Sequence, residues 1–161
     1  MITRRFFLTL APVLCVAGTV LAQKKAAAPK GDPFIGSWAL DLTRSEFIPG
    51  PGPATRNVVV SAIDNGLHFN VHDSGGFIDE HTNYEIFFDE MDHPVDSAIN
   101  VQAYSTKRVD ANTIERIGKI VGKSVETATY KVSADRKTMT LTTQGSIRGN
   151  DYSSTQVFAK L

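Results

Sequence analysis

The sequence predicts an all-β protein, an antiparallel up-and-down meander that closes into a β-barrel of about nine strands. From residue 34 onward, short runs of alternating apolar and polar residues follow one another. Turn residues separate these runs, as at Asp64-Asn65-Gly66. No stretch in this region shows the period of about 3.6 residues that an amphipathic helix requires. An open sheet of this size would leave unpaired edges, so closure is favoured, and a two-sheet sandwich is the alternative.

The composition limits the classes of function. The chain has 161 residues, with 17 Lys and Arg against 17 Asp and Glu, so its formal net charge is zero. This balance provides no basic surface for nucleic acid, and we expect no nucleic-acid partner. The hydrophobic fraction of 42% is enough for one packed domain. The only cysteine, Cys15, precedes that domain, so we expect neither disulfides nor thiolate ligands in it.

Residues 1–22 predict a signal peptide. Arg4 and Arg5 form a basic start, an apolar run follows, and the small residues Val20 and Ala22 indicate cleavage after Ala22. The apolar run is shorter than the roughly 20 residues that span a bilayer, so we expect no stable membrane insertion after cleavage. An uncleaved anchor is the alternative. The prediction is an exported protein, periplasmic or extracellular.

Short segments of the sequence predict the export route and the division of the rest of the chain into a linker and one domain. Residues 3–8, TRRFFL, resemble the twin-arginine export motif, and the general secretory route is the alternative. Residues 23–33, rich in Lys, Ala and Pro, predict a flexible linker. Residues 34–161 then form the barrel domain.

The barrel domain divides into about nine strands, each rich in β-branched or aromatic residues and bounded by turn residues. Pro49–Pro53 contains three prolines and predicts a stiff loop, because proline cannot donate to a β-ladder. Trp38 is expected to fill the closed end of the barrel. The predicted strands are Ile35–Leu42, Thr55–Ile63, Leu67–Asp73, His81–Phe88, Ile99–Val109, Thr113–Val121, Val125–Val132, Thr138–Ser146 and Tyr152–Lys160.

One hairpin allows its register to be predicted. With the turn centred between Gly76 and Phe77, one face is apolar and the other polar, whereas a shift by one residue would mix them. On the polar face, His72 lies opposite His81. The inward-facing residues are then Leu67, Phe69, Val71, Tyr84, Ile86 and Phe88.

A later hairpin turns at residues 110–112. A three-residue loop with Asn112 in the left-handed conformation places Lys107 opposite Glu115, a favourable exposed pair. A two-residue loop, the alternative, would pair Arg108 with Glu115. We favour the first register, whose inner face contains Tyr104, Thr106, Arg108, Ile114 and Arg116.

This inner face and its neighbours form a candidate site for an acidic head group. A guanidinium inside a barrel needs a counter-charge, because burying it unpaired is costly. A ligand carboxylate would supply one through two parallel hydrogen bonds. The alternatives are an internal ion pair with Glu115 or Glu126, and an arginine that reaches solvent at the rim. The candidate ligand-binding residues are Tyr84, Tyr104, Arg108, Arg116 and Tyr130.

The histidines raise the question of a metal site. His72 opposite His81, with Asp73 or Asp79 nearby, would suit nickel, copper or zinc. The favoured interpretation is a solvent-facing polar row, so no metal is assigned. His68 lies four residues from His72, about 13 Å along a strand, too far to share an ion. A haem with an axial histidine is a further alternative, and we expect no cofactor.

Nothing in the sequence indicates catalysis. It contains neither the G-x-S-x-G nucleophile elbow nor a phosphate-binding P-loop, and no G-x-G-x-x-G follows a predicted strand. Its acidic residues cluster in predicted turns, where solvated carboxylates are common. We expect no enzymatic activity and assign no catalytic residue.

Three segments resemble one family of proteins. Gly36-Ser37-Trp38 is similar to the G-x-W signature of lipocalins and related calycin barrels. The wider pattern of GSWALDLTRSEFIPGPGP, KRVDANTIE and VSADRKTMTLTTQG resembles small exported bacterial lipocalin-like proteins of largely unknown function. The resemblance implies a lipocalin-like barrel whose cup holds a small apolar or amphipathic molecule. It implies no particular ligand and no catalytic residue.

The function expected from these observations is that of an exported, monomeric, lipocalin-like barrel that binds or carries a small apolar or amphipathic molecule. One alternative is an envelope or extracellular interaction module whose own side chains fill the barrel. Another is a haem or metal-binding barrel. An open interior with Arg108 and Arg116 inside would favour the carrier, whereas Phe and Leu along the axis would favour the packed module.

Overall fold

Alternation of side chains and frequent turns produce one antiparallel sheet. The computed structural model describes residues 31–75, 78–95 and 101–161. The predicted signal peptide, most of the linker and the turn at 76–77 lie outside these residues. Within them the sheet has 11 strands: β1 Gly36–Leu40, β2 Glu46–Ile48, β3 Thr55–Ile63, β4 Gly66–Gly75, β5 Ile78–Phe87, β6 His93–Pro94, β7 Ala103–Asp110, β8 Thr113–Ile120, β9 Lys123–Val132, β10 Thr138–Ile147 and β11 Asn150–Lys160.

The sheet curls into a nearly closed barrel. Its strand order is β5-β4-β3-β1-β11-β10-β9-β8-β7-β6, and β2 also pairs with β11. β1 therefore lies between β3 and the last strand, β11. In this position β1 joins the two ends of the meander. On the other side β5 lies beside β7, where the rings of Tyr84 and Tyr104 are 6.1 Å apart. No ladder joins these two strands within the described residues. The predicted all-β barrel is confirmed.

Two short strands were not predicted. The first predicted strand ends at Leu40, because the Asp41 carboxylate accepts a hydrogen bond from the Thr43 amide and starts a single 3-10 turn, Leu42–Arg44. The chain then resumes pairing as β2. The other addition, β6, pairs with β7 and lies between the predicted strands His81–Phe88 and Ile99–Val109. Strands of three and two residues are too short to carry a periodic signal.

The predicted register of the β4–β5 hairpin is confirmed. Phe69 lies opposite Tyr84 and His72 opposite His81. The ladder continues to Gly75 and Ile78, so the hairpin is longer than predicted. Its inner face packs on the core of the barrel.

The β7–β8 hairpin has the predicted pairing but a different turn. Lys107 lies opposite Glu115, as expected. A bulge between Arg108 and Asp110 then pairs Asp110 with Thr113, and Asn112 does not take a positive φ. The extra residue of the predicted loop is therefore absorbed within the strand as a bulge.

One end of the barrel is sealed by Trp38 of β1 together with residues that precede this strand. Phe34 and Trp38 are fully buried, and the Trp38 indole Nε1 donates a hydrogen bond of 2.9 Å to the Phe34 carbonyl. The Lys160 ammonium lies 4.7 Å from the indole centroid. Asp32, in the segment predicted as linker, is buried and forms an ion pair with Arg108. Within the described residues no helix has the length and apolar character needed to cross a membrane.

Trp38→Ala should lower the free energy of unfolding by about 3–5 kcal/mol, because it leaves a large cavity at the sealed end. Trp38→Phe should cost less, since it loses the hydrogen bond to Phe34 but keeps most of the ring. Urea denaturation followed by far-UV circular dichroism measures both. A loss below about 1 kcal/mol for Trp38→Ala would contradict the placement of this side chain in the core.

Candidate ligand cavity

A cavity of about 550 Å³ lies inside the barrel, and its lining does not include Phe34 or Trp38 of the sealed end. Its wall is largely aromatic and aliphatic, because many of the inward positions of the strands there are apolar. The main apolar side chains of this wall are Phe69, Val71, Met139, Leu141 and Phe158.

The proline-rich loop between β2 and β3 forms part of the mouth of the cavity. Pro49, Pro51 and Pro53 all line it, together with Phe47. The Phe47 ring packs against Gly52 so closely that a Cβ there would lie 2.4 Å from the ring. Gly52 is therefore needed for this aromatic side chain to lie against the loop.

Arg116 lies inside the cavity and is only 6% exposed. Its Nη1 donates a hydrogen bond of 2.5 Å to the Tyr130 hydroxyl, and its Nη2 donates one of 2.8 Å to Glu126 Oε1. The Tyr104 ring centroid is 4.0 Å from the guanidinium carbon. The guanidinium thus has Glu126 as an internal counter-charge. An internal ion pair was the alternative to a ligand carboxylate in the sequence analysis.

Two glycines make room for the Arg116 cluster, the group formed by Tyr104, Arg116, Glu126, Tyr130 and Tyr152. Gly145 lies on β10, between Glu126 on β9 and Tyr152 on β11. The Tyr152 side chain passes over Gly145, where a Cβ would lie 2.4 Å from its ring, and its hydroxyl donates a hydrogen bond of 2.9 Å to Glu126 Oε2. Gly118, opposite Glu126 on β8, leaves space on the other side. Both Glu126 oxygens therefore have donors.

The protonation states in the cluster follow from burial and from its charges. Burial opposes the charge of Arg116, but the surrounding tyrosines and the Glu126 carboxylate outweigh it, so the pKa of Arg116 lies above its ordinary value. Burial raises the pKa of Tyr130 well above its ordinary value. Burial and the Glu126 carboxylate also raise the pKa of Tyr152. Both phenols remain protonated hydrogen-bond donors at neutral pH.

A second arginine, Arg56 of β3, also lines the cavity and was missed by the sequence analysis. Its Nε and Nη2 donate hydrogen bonds of 2.6 and 2.5 Å to the two carboxylate oxygens of Asp73, and Nη1 donates one of 2.6 Å to Gln156 Oε1. Burial opposes its charge, but the Asp73 contacts raise the pKa of Arg56. Alternation with the inward-facing Val58 and Val60 could have placed Arg56 on the inner face.

The structure brings four of the five candidate ligand-binding residues into this cavity: Tyr84, Tyr104, Arg116 and Tyr130. The Tyr84 and Tyr130 hydroxyls are 3.2 Å apart. Arg108 shares their face but points into the sealed end, where it binds Asp32 and lies over the rings of Phe34 and Phe88.

The cavity as a whole is not electropositive. Its lining contains the guanidiniums of Arg56 and Arg116 and the carboxylates of Asp73, Glu80 and Glu126. Each guanidinium is already paired with a carboxylate. Arg116 Nε remains buried without a hydrogen-bond partner. The site can therefore offer hydrogen bonds to a polar group, but it has no excess positive charge.

The four histidines lie outside the lining of this cavity. The haem alternative, which needs an axial histidine facing the interior, therefore has no support from the geometry of the barrel. Asp73, one of the two acids considered for a metal site, faces Arg56 instead of the histidine row.

Arg116→Met and Glu126→Leu should each lower the free energy of unfolding by about 3–5 kcal/mol, because each leaves the other charge buried and unpaired. The double variant should lose clearly less than the sum. Urea denaturation gives all three values. As a control, Glu115→Gln on the exposed face should change stability by about 0.5 kcal/mol or less. Strictly additive losses would contradict a coupled buried pair.

Comparison with protein-family models finds no match, and comparison with curated proteins finds none. Solved structures are similar at low sequence identity. A secretary abundant heat soluble protein from Ramazzottius varieornatus has a TM-score of 0.60 at 14% identity, covering 82% of this chain and 98% of that chain. A Schistosoma mansoni fatty acid binding protein in complex with arachidonic acid has a TM-score of 0.57 at 13% identity, covering 80% and 96%.

A third similar structure is the zebrafish ileal bile acid-binding protein complexed with cholic acid. Its TM-score is 0.57 at 8% identity, covering 80% of this chain and 99% of that chain. At these identities the likeness concerns the fold alone. This chain is a nearly closed antiparallel β-barrel of the lipocalin-like type, similar in fold to fatty acid and bile acid-binding barrels.

Proposed function

We propose that this chain is an exported, monomeric carrier that holds a small apolar or amphipathic molecule in the barrel. The observation that supports this most directly is the cavity of about 550 Å³, whose wall is mostly apolar and carries polar groups around Arg116 and Arg56. Pockets for small molecules commonly have volumes of about 300–1,000 Å³ and combine apolar walls with a few placed polar groups. Export rests on residues 1–22 of the sequence.

The apolar wall would supply most of the binding free energy. Side chains such as Phe69 and Leu141 present hydrocarbon surface to the interior. Burying apolar ligand surface against them contributes roughly 25 cal/mol per Å². A flexible hydrocarbon and a flat apolar ring system would both gain this free energy of apolar burial. The wall therefore selects for an apolar ligand more than for a ligand of one shape.

The Arg116 cluster would orient the polar end of the ligand. Because Arg116 and Glu126 neutralise one another, the cluster is best suited to a head group that both donates and accepts hydrogen bonds, such as a hydroxyl, an amide or a protonated acid. An ionised carboxylate would meet the Glu126 carboxylate as well as the guanidinium. The sequence analysis expected an acidic head group, with an internal ion pair as the alternative. The observed Arg116–Glu126 pair favours a neutral head group instead.

Similar barrels provide support at the level of the fold only. Two of them were solved with arachidonic acid and with cholic acid. A small-molecule occupant for the present barrel agrees with those structures. We propose no enzymatic role for it.

Displacement of a neutral fluorescent apolar probe tests the proposal. We expect the purified full chain to bind Nile red, and a fatty alcohol, fatty amide and fatty acid of one chain length to displace it. Leu141→Trp should weaken probe binding by about tenfold or more, because the larger ring fills the cavity; tenfold corresponds to about 1.4 kcal/mol. Ile117→Trp, at an exposed position, is the matched control and should leave binding unchanged.

The outcomes separate the parts of the proposal. If no probe or lipid binds, the carrier function is wrong and the packed interaction module becomes the better interpretation. If the ionised acid binds more than about tenfold tighter than the alcohol, the carrier stands but the neutral head-group preference is wrong. Equal loss in both tryptophan variants would show that the probe does not enter the cavity.

A further inference from the structure

The outer face of the β4–β5 hairpin carries two facing histidines and a carboxylate. The rings of His72 and His81 are stacked, with centroids 4.0 Å apart and planes inclined by 8°. Asp79 Oδ1 lies 2.7 Å from His72 Nε2 and 4.0 Å from His81 Nε2. The three potential donor atoms all lie within 4.8 Å of one another. This is the only group of three such ligands found in the described part of the chain.

The hairpin itself brings these side chains together. His72 and His81 are directly opposed in the ladder, and Asp79 precedes His81 by two residues, so it shares the same face. Asp79 is held in the sheet because the ladder continues to Gly75 and Ile78. Two rigid strands therefore position the ligands, and no long loop has to be ordered to complete the set.

We propose that His72, Asp79 and His81 bind a divalent first-row transition metal, with Cu²⁺ bound most tightly and Zn²⁺ and Ni²⁺ more weakly. Imidazole nitrogens select these ions over Mg²⁺ and Ca²⁺, which prefer oxygen ligands. Two ligand atoms on one tetrahedral ion are about 3.3 Å apart, given metal to ligand distances of roughly 2.0–2.1 Å. The observed spacing needs only small rotations of side chains that are partly or largely exposed.

The outer face of the same hairpin provides an internal comparison. His68 lies on this face of β4, with its Nδ1 3.7 Å from the Glu85 carboxylate. That pair offers one imidazole and one carboxylate, whereas the proposed site offers two imidazoles. Asn70 and Asn83 occupy the row between them and hydrogen-bond to each other at 2.7 Å. A metal ion that requires two imidazole ligands should therefore bind at His72 and His81 and not at His68.

Metal binding here would reinforce a strand at the margin of the barrel. β5 is the last strand of the sheet order on its side. The inner face of the hairpin, including Val71 and Thr82, lines the cavity. An ion that joins β4 to β5 on the outer face would stabilise this part of the cavity wall, because a ligand bound only by the folded state raises its stability. The site does not depend on the proposed carrier function.

Calorimetric titration of the untagged full chain, first freed of metal with a chelator, tests the site with CuSO4 alone and ZnCl2 alone. We expect one ion per chain, with Cu²⁺ tighter than Zn²⁺. His72→Gln and His81→Gln should each weaken Cu²⁺ binding by about tenfold or more, as loss of a direct ligand should exceed the effect of losing an outer partner. His68→Gln is the matched control and should bind as the unaltered chain does.

Two further measurements test whether the metal ion is bound by the two imidazoles and not elsewhere on the chain. The EPR spectrum of the Cu²⁺-loaded chain should show coupling to two imidazole nitrogens, and the His81→Gln spectrum should not. Added Zn²⁺ should raise the Tm of the unaltered chain and of His68→Gln, but not that of the His72→Gln, His81→Gln double variant. Absence of saturable binding, or equal affinity in the His72 and His68 variants, overturns the proposal. Far-UV circular dichroism checks that each variant is folded.

Discussion

The pairing of β1 on both of its edges is the constraint on which the rest of the structure depends. Trp38 lies opposite Val58 of β3 and opposite Lys160 of β11, so a strand of five residues joins the start of the meander to its end. Without it, β3 and the C-terminal end of β11 would both present unpaired edges. Closure also turns one face of every strand inward, and the same strand places Trp38 in the sealed end.

Closure creates an interior in which polar groups have limited access to water and are held by one another. The barrel does this by pairing charges, with Arg116 beside Glu126, Arg56 beside Asp73 and Arg108 beside Asp32. Small residues at the right positions make these contacts possible, as Gly145 does beneath Tyr152. The interior is consequently polar in places yet nearly neutral, a property that favours a hydrogen-bonding head group over a strongly charged one.

The β4–β5 hairpin shows how one ladder can serve two chemical environments. Successive side chains of a strand point to opposite faces, so Val71 lines the cavity while His72 faces outward. The proposed ligand cavity and the proposed metal site share a backbone but no side chain. Each can therefore be removed by substitution without altering the other directly.

Local pattern in the sequence determined the fold class, the inward faces and the registers of two hairpins, because turn chemistry and alternation act over a few residues. It also placed Tyr84, Tyr104, Arg116 and Tyr130 on inner faces. Only the tertiary structure decided which distant groups meet. Arg108 binds Asp32 across 76 residues of sequence, and Arg56 binds Gln156 across 100. Alternation gives the face of a side chain, whereas its height in the barrel and its partner depend on how the sheet closes.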